Sequence, residues 1–328
     1  MAKIQKKINQ KNSTPKANNS DKKQFSLDKL IAKDSQVELK ISWKKVAPVY
    51  QKVLNKLSTN LKLKGFRKGK APLNVAEKEI GQEKIINQVL QELIPEAYSS
   101  AIKAESKKPL TNPEFQAISI NKDNDWIIKA YFSENPEINL RNYKKIVRDA
   151  KKTAEQEIKK TETENKKNKA SAKKKNESLK DKDTNLSDNQ KKDSIIQTIM
   201  AKLVEQLEPA IPRLLLKQSA EREMDNFIKK LESLKINLET FLSSRKMTQE
   251  QLSSQIMIST LNQLQVELLL RAIGEKEKLE ISDQEVEKTI ETTQDEKIRS
   301  QMSKDRSYRE YLKQMLLKQK VFNFLFDL

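Results

Sequence analysis

Cysteine and histidine are absent from the 328-residue chain, and glycine occurs only four times. Without thiol or imidazole there is no Cys/His zinc site, no Ser-His-Asp triad, no thiol nucleophile and no disulfide framework. Carboxylates, lysine and tyrosine are the groups left for proton transfer. Gly65, Gly69, Gly81 and Gly274 are spaced so that neither GxGxxG nor GxxxxGK(S/T) can form, which excludes the two nucleotide-binding folds built on those loops. No stretch approaches the roughly 18 apolar residues of a membrane-spanning helix. The opening MAKIQKKINQKN is basic but has no apolar run behind it, unlike a secretory signal. The expectation is a soluble cytoplasmic protein with no metal, no other cofactor and no membrane contact.

Charge of one sign is in excess: 65 Lys and Arg against 46 Asp and Glu, a net +19. Of the 65, 55 are Lys and ten are Arg. This bias, with frequent Asn and Ile, resembles an AT-rich coding background as much as selection for an anionic partner. Proteins that read base edges lean on Arg, whose planar fork fits guanine. The excess therefore supports attraction to a polyanion without specifying which.

Residues 1–24 are Lys, Asn, Gln and Ser with almost nothing to bury and read as a disordered basic tail. Val37, Leu39 and Ile41 alternate with polar residues as in a half-buried strand. Ser42 is a candidate N-cap for a helix through Val46, Val49, Tyr50, Val53, Leu54 and Leu57. A second helix carries a wide stripe from Ile85 to Ile102, which Pro95 should kink or split. Two extended runs follow, Phe115 to Ile120 and Trp126 to Phe132, with Asp123-Asn124 as turn chemistry between them. Residues 25–148 thus read as an α+β domain, a small antiparallel sheet with two long helices. Residues 149–193 are so charged and poor in apolar side chains that they read as an extended low-complexity linker. Residues 194–328 read as an all-α domain of long helices, one from Thr248 to about Ile273 with Gly274 as its C-cap, and one opening on the capping box Ser282/Glu285.

The most informative stretch is the turn Gly65-Phe66-Arg67-Lys68-Gly69-Lys70-Ala71-Pro72. Two glycines permit positive φ, and Lys62, Lys64, Arg67, Lys68 and Lys70 surround one aromatic, Phe66. An apolar tip ringed by cations suits a surface that mixes protein pocket and phosphate. On spacing alone, a solvated basic turn with Phe66 folded into the core is the better reading.

GFRKGKAP is similar to the G-F-R-x-G-K-x-P signature of trigger factor, the bacterial ribosome-associated chaperone family, and matches it at every fixed position. Phe132, Pro136, Glu137, Ile138 and Leu140 resemble that family's F-x-x-x-P-E-(I/V)-x-L segment. Ile211-Pro212 followed by Leu215-Leu216 resembles its V-P-x-x-L-(I/V), although Ser219 stands where an acidic residue is usual. The resemblance covers roughly 25–148 and 194–328. It implies a ribosome-binding N-terminal domain and a helical chaperone domain of the trigger factor/SurA-like type. It implies docking at the exit tunnel through Gly65, Phe66, Arg67, Lys68, Gly69, Lys70 and Pro72, with Phe66, Arg67 and Lys68 against a tunnel-exit protein and nearby ribosomal RNA. Nascent or unfolded polypeptides would be held without ATP during folding and transport, and the free protein could form a homodimer.

Candidate client contacts are Met224, Phe227, Ile228, Met257 and Phe324, each of which taken singly reads better as a core residue. Family members usually carry an FKBP-like prolyl isomerase domain between the two halves. Residues 149–193 have no Gly, Phe, Trp or Tyr and are too short for one, so no isomerase activity is expected. Two rival readings stay open: a ribosome-independent peptide-holding chaperone, and a basic RNA-binding protein. Trp43 and Trp126 read as core packing rather than as a base-stacking platform.

Overall fold

The structure, a computed structural model, describes residues 29–172, 187–292, 299 and 302–328. The expected tail over 1–24 and the middle of the expected linker, 173–186, lie outside the described residues. A two-residue strand β1 (Ile31–Ala32) precedes β2 (Ser35–Ile41), which pairs antiparallel with β4 (Trp126–Phe132). On its other side β4 pairs antiparallel with β3 (Glu114–Ser119). Val37, Leu39 and Ile41 with Trp126, Ile128, Ala130 and Phe132 form the buried face. Against it lie α1 (Trp43–Thr59) and α3 (Gln82–Ala104), through Val46, Tyr50, Val53, Leu54, Ile85 and Val89.

Three local features differ from the sequence reading. Ser42 holds the N-cap position of α1, but its hydroxyl caps nothing; the Asp125 carboxylate instead accepts from the Trp43 N–H at 2.8 Å, so the β3–β4 turn caps this helix. A short helix α2 (Leu73–Ile80) stands between the two long ones, set off from α3 by Gly81 at φ +83°. Of the kink or split expected at Pro95, the split does not occur, because α3 runs as one helix through it. Leu93, Ile94, Ala97 and Tyr98, packed against the sheet, hold the helix across the backbone bond that proline removes. Trp126 is fully buried and donates from Nε1 to the Asn121 carbonyl at 3.1 Å, and Trp43 tilts against Tyr50, so both are core residues.

The second half comprises α4 (Tyr143–Ala172), α5 (Asp188–Leu207), a two-residue strand β5 (Ile211–Pro212), α6 (Arg213–Ser233), α7 (Leu238–Arg245), α8 (Gln249–Lys276), α9 (Asp283–Glu291) and α10 (Arg306–Asp327). The linker expected over 149–193 is corrected here: residues 149–172 and 188–193 are helical, within α4 and α5. Val147, Ala150 and Ala154 are buried at helical spacing, with Ile158 half-buried beyond them, in a core shared with Ile195, Ile199, Leu203, Leu269, Ile273 and Val321. Composition alone missed this because a narrow alanine stripe buries little by itself. Partner helices supply the apolar surface that offsets its ordering entropy. Gly274 is also corrected. It lies inside α8 rather than at its end, and the methyl it lacks leaves room for Val321 and Leu317 of α10, 3.4 and 3.8 Å from where a Cβ would stand. The capping boxes Thr248/Gln251 and Ser282/Glu285 start α8 and α9 as their sequences indicate.

The two halves meet at the start of α6. Its N-cap is Pro212, which has no side chain able to accept a hydrogen bond. The missing acceptors come from the first half: Asp34 Oδ1 accepts from the Leu214 N–H at 2.8 Å, and Ser133 Oγ from the Leu215 N–H at 3.0 Å. Ser133 Oγ donates in turn to Asp34 Oδ1 at 3.1 Å. β1 pairs parallel with β5, and the Ile211 N–H donates to the Leu30 carbonyl at 2.8 Å. Further out, Glu114 bridges Lys217 at 2.6 Å and Arg213 at 3.5 Å, and these cations hold its carboxyl below the usual range. Gln218 and Asn112 exchange two bonds.

Asp34→Ala leaves an N-terminal donor of α6 uncapped and should cost about 1–2 kcal/mol. The expected result is a lower urea midpoint, with Asp34→Asn recovering part of the loss because it keeps an acceptor. An unchanged midpoint in Asp34→Ala would mean that the cap contributes nothing.

Candidate functional site

The loop 61–72 connects α1 to α2 and is ordered by its own backbone. The Phe66 N–H donates to Leu63 O at 3.1 Å, Gly69 N–H to Leu61 O at 3.1 Å and Lys70 N–H to Arg67 O at 2.9 Å. Gly65 and Gly69 have φ of +87° and +70°. They differ in what surrounds them: a Cβ at Gly65 meets nothing within 4 Å, whereas one at Gly69 would stand 2.6 Å from the Thr59 carbonyl oxygen. Pro72 ends the loop at the N-cap of α2.

Phe66 is 44% exposed rather than folded into the core. Lys62, Lys64, Arg67, Lys68 and Lys70 are all exposed around it, and none of them makes an ion pair among the described residues. Leu73 and Val75, each 37% exposed, continue the apolar surface onto α2. The arrangement is a firm turn that offers one aromatic and five unneutralised cations to solvent. Such a surface can bury an aromatic in a partner's pocket while its cations take carboxylates or phosphates.

The five client candidates are not brought to one place. Phe324 packs against the α4–α5–α8–α10 core beneath the Lys144 ammonium, and Met257 packs beside Leu261 and Leu216. Met224, Phe227 and Ile228 share α6 and are half-buried, with Phe227 edge-on to Phe241 of α7 at 5.1 Å. Sequence reading missed Leu234, at 60% exposure, with Ile236 and Ile258 in the α6–α8 region, and Tyr311 and Met315 on α10. Their exposure follows from which helix faces stay unpaired, which no single segment encodes. A cleft of about 560 Å³ opens between α8 and α10, with Leu270, Leu279, Leu317 and Val321 in its lining and Glu267, Arg271 and Lys318 among its charged residues.

No cluster of three or more metal-ligating side chains occurs among the described residues. The perturbed groups serve packing. Burial, with Glu277 accepting from its hydroxyl at 2.6 Å, pushes Tyr143 well above the ordinary tyrosine range. The same bond, with Lys144, holds Glu277 low. Tyr50 and Glu77 repeat this pairing under the N-terminal sheet domain. No helix among the described residues is long and apolar enough to cross a membrane.

Two family models together match residues 23–327. Bacterial trigger factor protein (TF) covers residues 23–173, and bacterial trigger factor protein (TF) C-terminus covers residues 171–327. The chain is 34% identical over 106 residues to trigger factor of Streptococcus sanguinis (strain SK36), spanning 32% of this chain and 25% of that protein. It is 30% identical over 113 residues to trigger factor of Ligilactobacillus salivarius (strain UCC118), spanning 34% and 26%. These matches thus take in about a quarter of the length of the curated relatives. A solved structure concerned with promiscuous substrate recognition in folding and assembly by the trigger factor chaperone aligns over 91% of this chain and 98% of its own, with a TM-score of 0.51 at 14% identity. With the fold shared along its length and family models matching both halves, the chain belongs to the bacterial trigger factor family.

Proposed function

We propose that this protein is an ATP-independent chaperone of the cytoplasm that docks at the ribosomal exit tunnel through the loop 65–72 and holds emerging polypeptides on its helical half. The observation that carries this reading is Phe66, half-exposed at the tip of an ordered turn and ringed by cations without carboxylate partners among the described residues. Phe66 would enter an apolar pocket of a tunnel-exit protein. Arg67 and Lys68 would take carboxylate or RNA phosphate, giving a salt-sensitive on-rate. Gly65, Gly69, Lys70 and Pro72 would shape and flank the turn. Client contact would be loose and spread over Met224, Phe227 and Ile228 with the exposed Leu234, Ile236 and Ile258, because weak apolar patches release what they hold.

The stretch between the sheet domain and the helical domain supports a chaperone without isomerase activity. Over 149–172 and 188–193 it is the paired helices α4 and α5, with no aromatic-lined proline pocket. The expected rate of prolyl isomerisation on a proline-containing peptide is that of the uncatalysed reaction. Acceleration that scales with protein concentration would overturn this.

Docking is tested by sedimenting 70S ribosomes with the protein through a cushion. Wild type should co-sediment at moderate salt, and Phe66→Ala/Arg67→Ala/Lys68→Ala should be lost from the pellet. Equal pelleting of both would refute docking through the loop, and absence of both would favour a chaperone that works without ribosomes.

Glycine substitutions separate loop shape from loop chemistry. Gly69→Ala drives a methyl into the Thr59 carbonyl at positive φ, and should weaken co-sedimentation roughly as far as the triple variant while every contact side chain remains. Gly65→Ala meets open space and bears only the backbone cost, about 1 kcal/mol, so it should retain most binding. Equal behaviour of the two variants would argue against a shape requirement at Gly69.

A further inference from the structure

The helix α4 carries an unpaired basic stripe that loop docking does not use. Lys145, Arg148, Lys152 and Lys159 are all exposed, and none of their charged side-chain groups makes an ion pair or hydrogen bond among the described residues. At 100° per residue their positions fall within about 60° of arc, with rises of about 4.5, 6 and 10.5 Å between successive members. The face opposite is the alanine stripe buried against α5. The helix's carboxylates are largely drawn elsewhere. Glu162 pairs with Lys191 of α5 at 2.8 Å, and Glu157 lies within electrostatic reach of Lys202 of α5. Asp149, exposed, and Glu155, half-buried, flank the stripe, leaving four cations against two anions on that side.

We propose that this solvent face of α4 is a docking surface for the phosphate backbone of double-stranded RNA. A helix packed along one face holds its cations in a fixed row, which suits the fixed phosphates of a duplex. Single-stranded RNA would call for aromatic platforms, and the one aromatic residue of α4, Tyr143, is buried. An anionic membrane would call for apolar side chains beside the cations. The other exposed positions between Tyr143 and Thr163 are Asp149, Thr153, Gln156, Glu157, Lys160, Thr161 and Thr163, none of them apolar. With three Lys and one Arg the surface reads charge and shape rather than base sequence. The inference does not depend on the loop 65–72, because the duplex is tested without ribosomes.

The experiment titrates the full chain into a fluorescein-labelled RNA duplex of roughly 20 base pairs, reading anisotropy between about 50 and 200 mM salt. Lys145→Gln/Arg148→Gln/Lys152→Gln/Lys159→Gln is compared with a control of equal charge loss on other exposed lysines, Lys229→Gln/Lys230→Gln/Lys235→Gln/Lys246→Gln. Glutamine keeps helix propensity at exposed sites, and circular dichroism checks that both variants are folded. The α4 variant should bind at least about 10-fold more weakly, and its log Kd against log salt slope should fall by about 3, while the control changes less than about twofold. Equal weakening in both variants would reduce the effect to net charge and overturn the proposal. So would failure of the wild type to bind the duplex, or preferential binding to a single strand of the same length or to phosphatidylserine vesicles.

Discussion

The N-terminus of α6 cannot satisfy itself, and the architecture turns on that fact. A helix leaves its first N–H groups without intrahelical partners, and here the residue at the cap is proline, with nothing to offer them. Asp34 and Ser133 accept in its place, two side chains that the chain order puts about 180 and 80 residues away. Both sit at ends of the N-terminal sheet, Asp34 just ahead of β2 and Ser133 just after β4, so the antiparallel pairing of these strands assembles the cap. The carboxylate is nearly sealed from water, its side chain 4% exposed, which makes an unpaired state costly and the docked state well defined. Ile211 and Leu216 with Leu261 and Leu268 add an apolar seam behind it.

From that junction the helical half is organised by close approach rather than by large side chains. Ala150 and Ala154 let α5 lie against α4, and Gly274 lets α10 lie against α8. Polar links then pin the ends: Tyr143 to Glu277, Lys192 to Asn323, Arg309 to Glu287. Three kinds of face remain unpaired among the described residues. They are apolar around Leu234 and Ile258, basic along α4, and mixed at the loop around Phe66.

Strands β2, β3 and β4 were legible in the sequence, because period-two alternation at Val37, Leu39 and Ile41 is a local property. The starts of α8 and α9 were legible for the same reason, each capping box lying within four residues. What escaped was everything that needs a second segment. Ser42 looked like a cap, but Asp125 comes from across the sheet. Gly274 looked like a helix end, but it is a point of contact with Val321. The charged stretch after residue 149 looked too polar to order, since its alanines acquire their worth only against α5 and α8. At the loop, motif similarity singled out the residues, while the exposure of Phe66 is a tertiary outcome that the spacing argument alone read the other way.

The register of β1 on β5 has a consequence for how the chain comes to be folded. Every buried residue of the N-terminal sheet core lies between Val37 and Phe132, so that unit can condense as soon as this stretch is available. Ile31 and Ala32 must wait for Ile211 and Pro212, a loop of about 180 residues to close, and α6 has no cap until they meet. Local contacts form early and distant ones late, and domains fold as units from the N-terminus during synthesis. The loop around Phe66 therefore takes its shape in a half-made protein, before the halves are joined and before the helical surfaces exist.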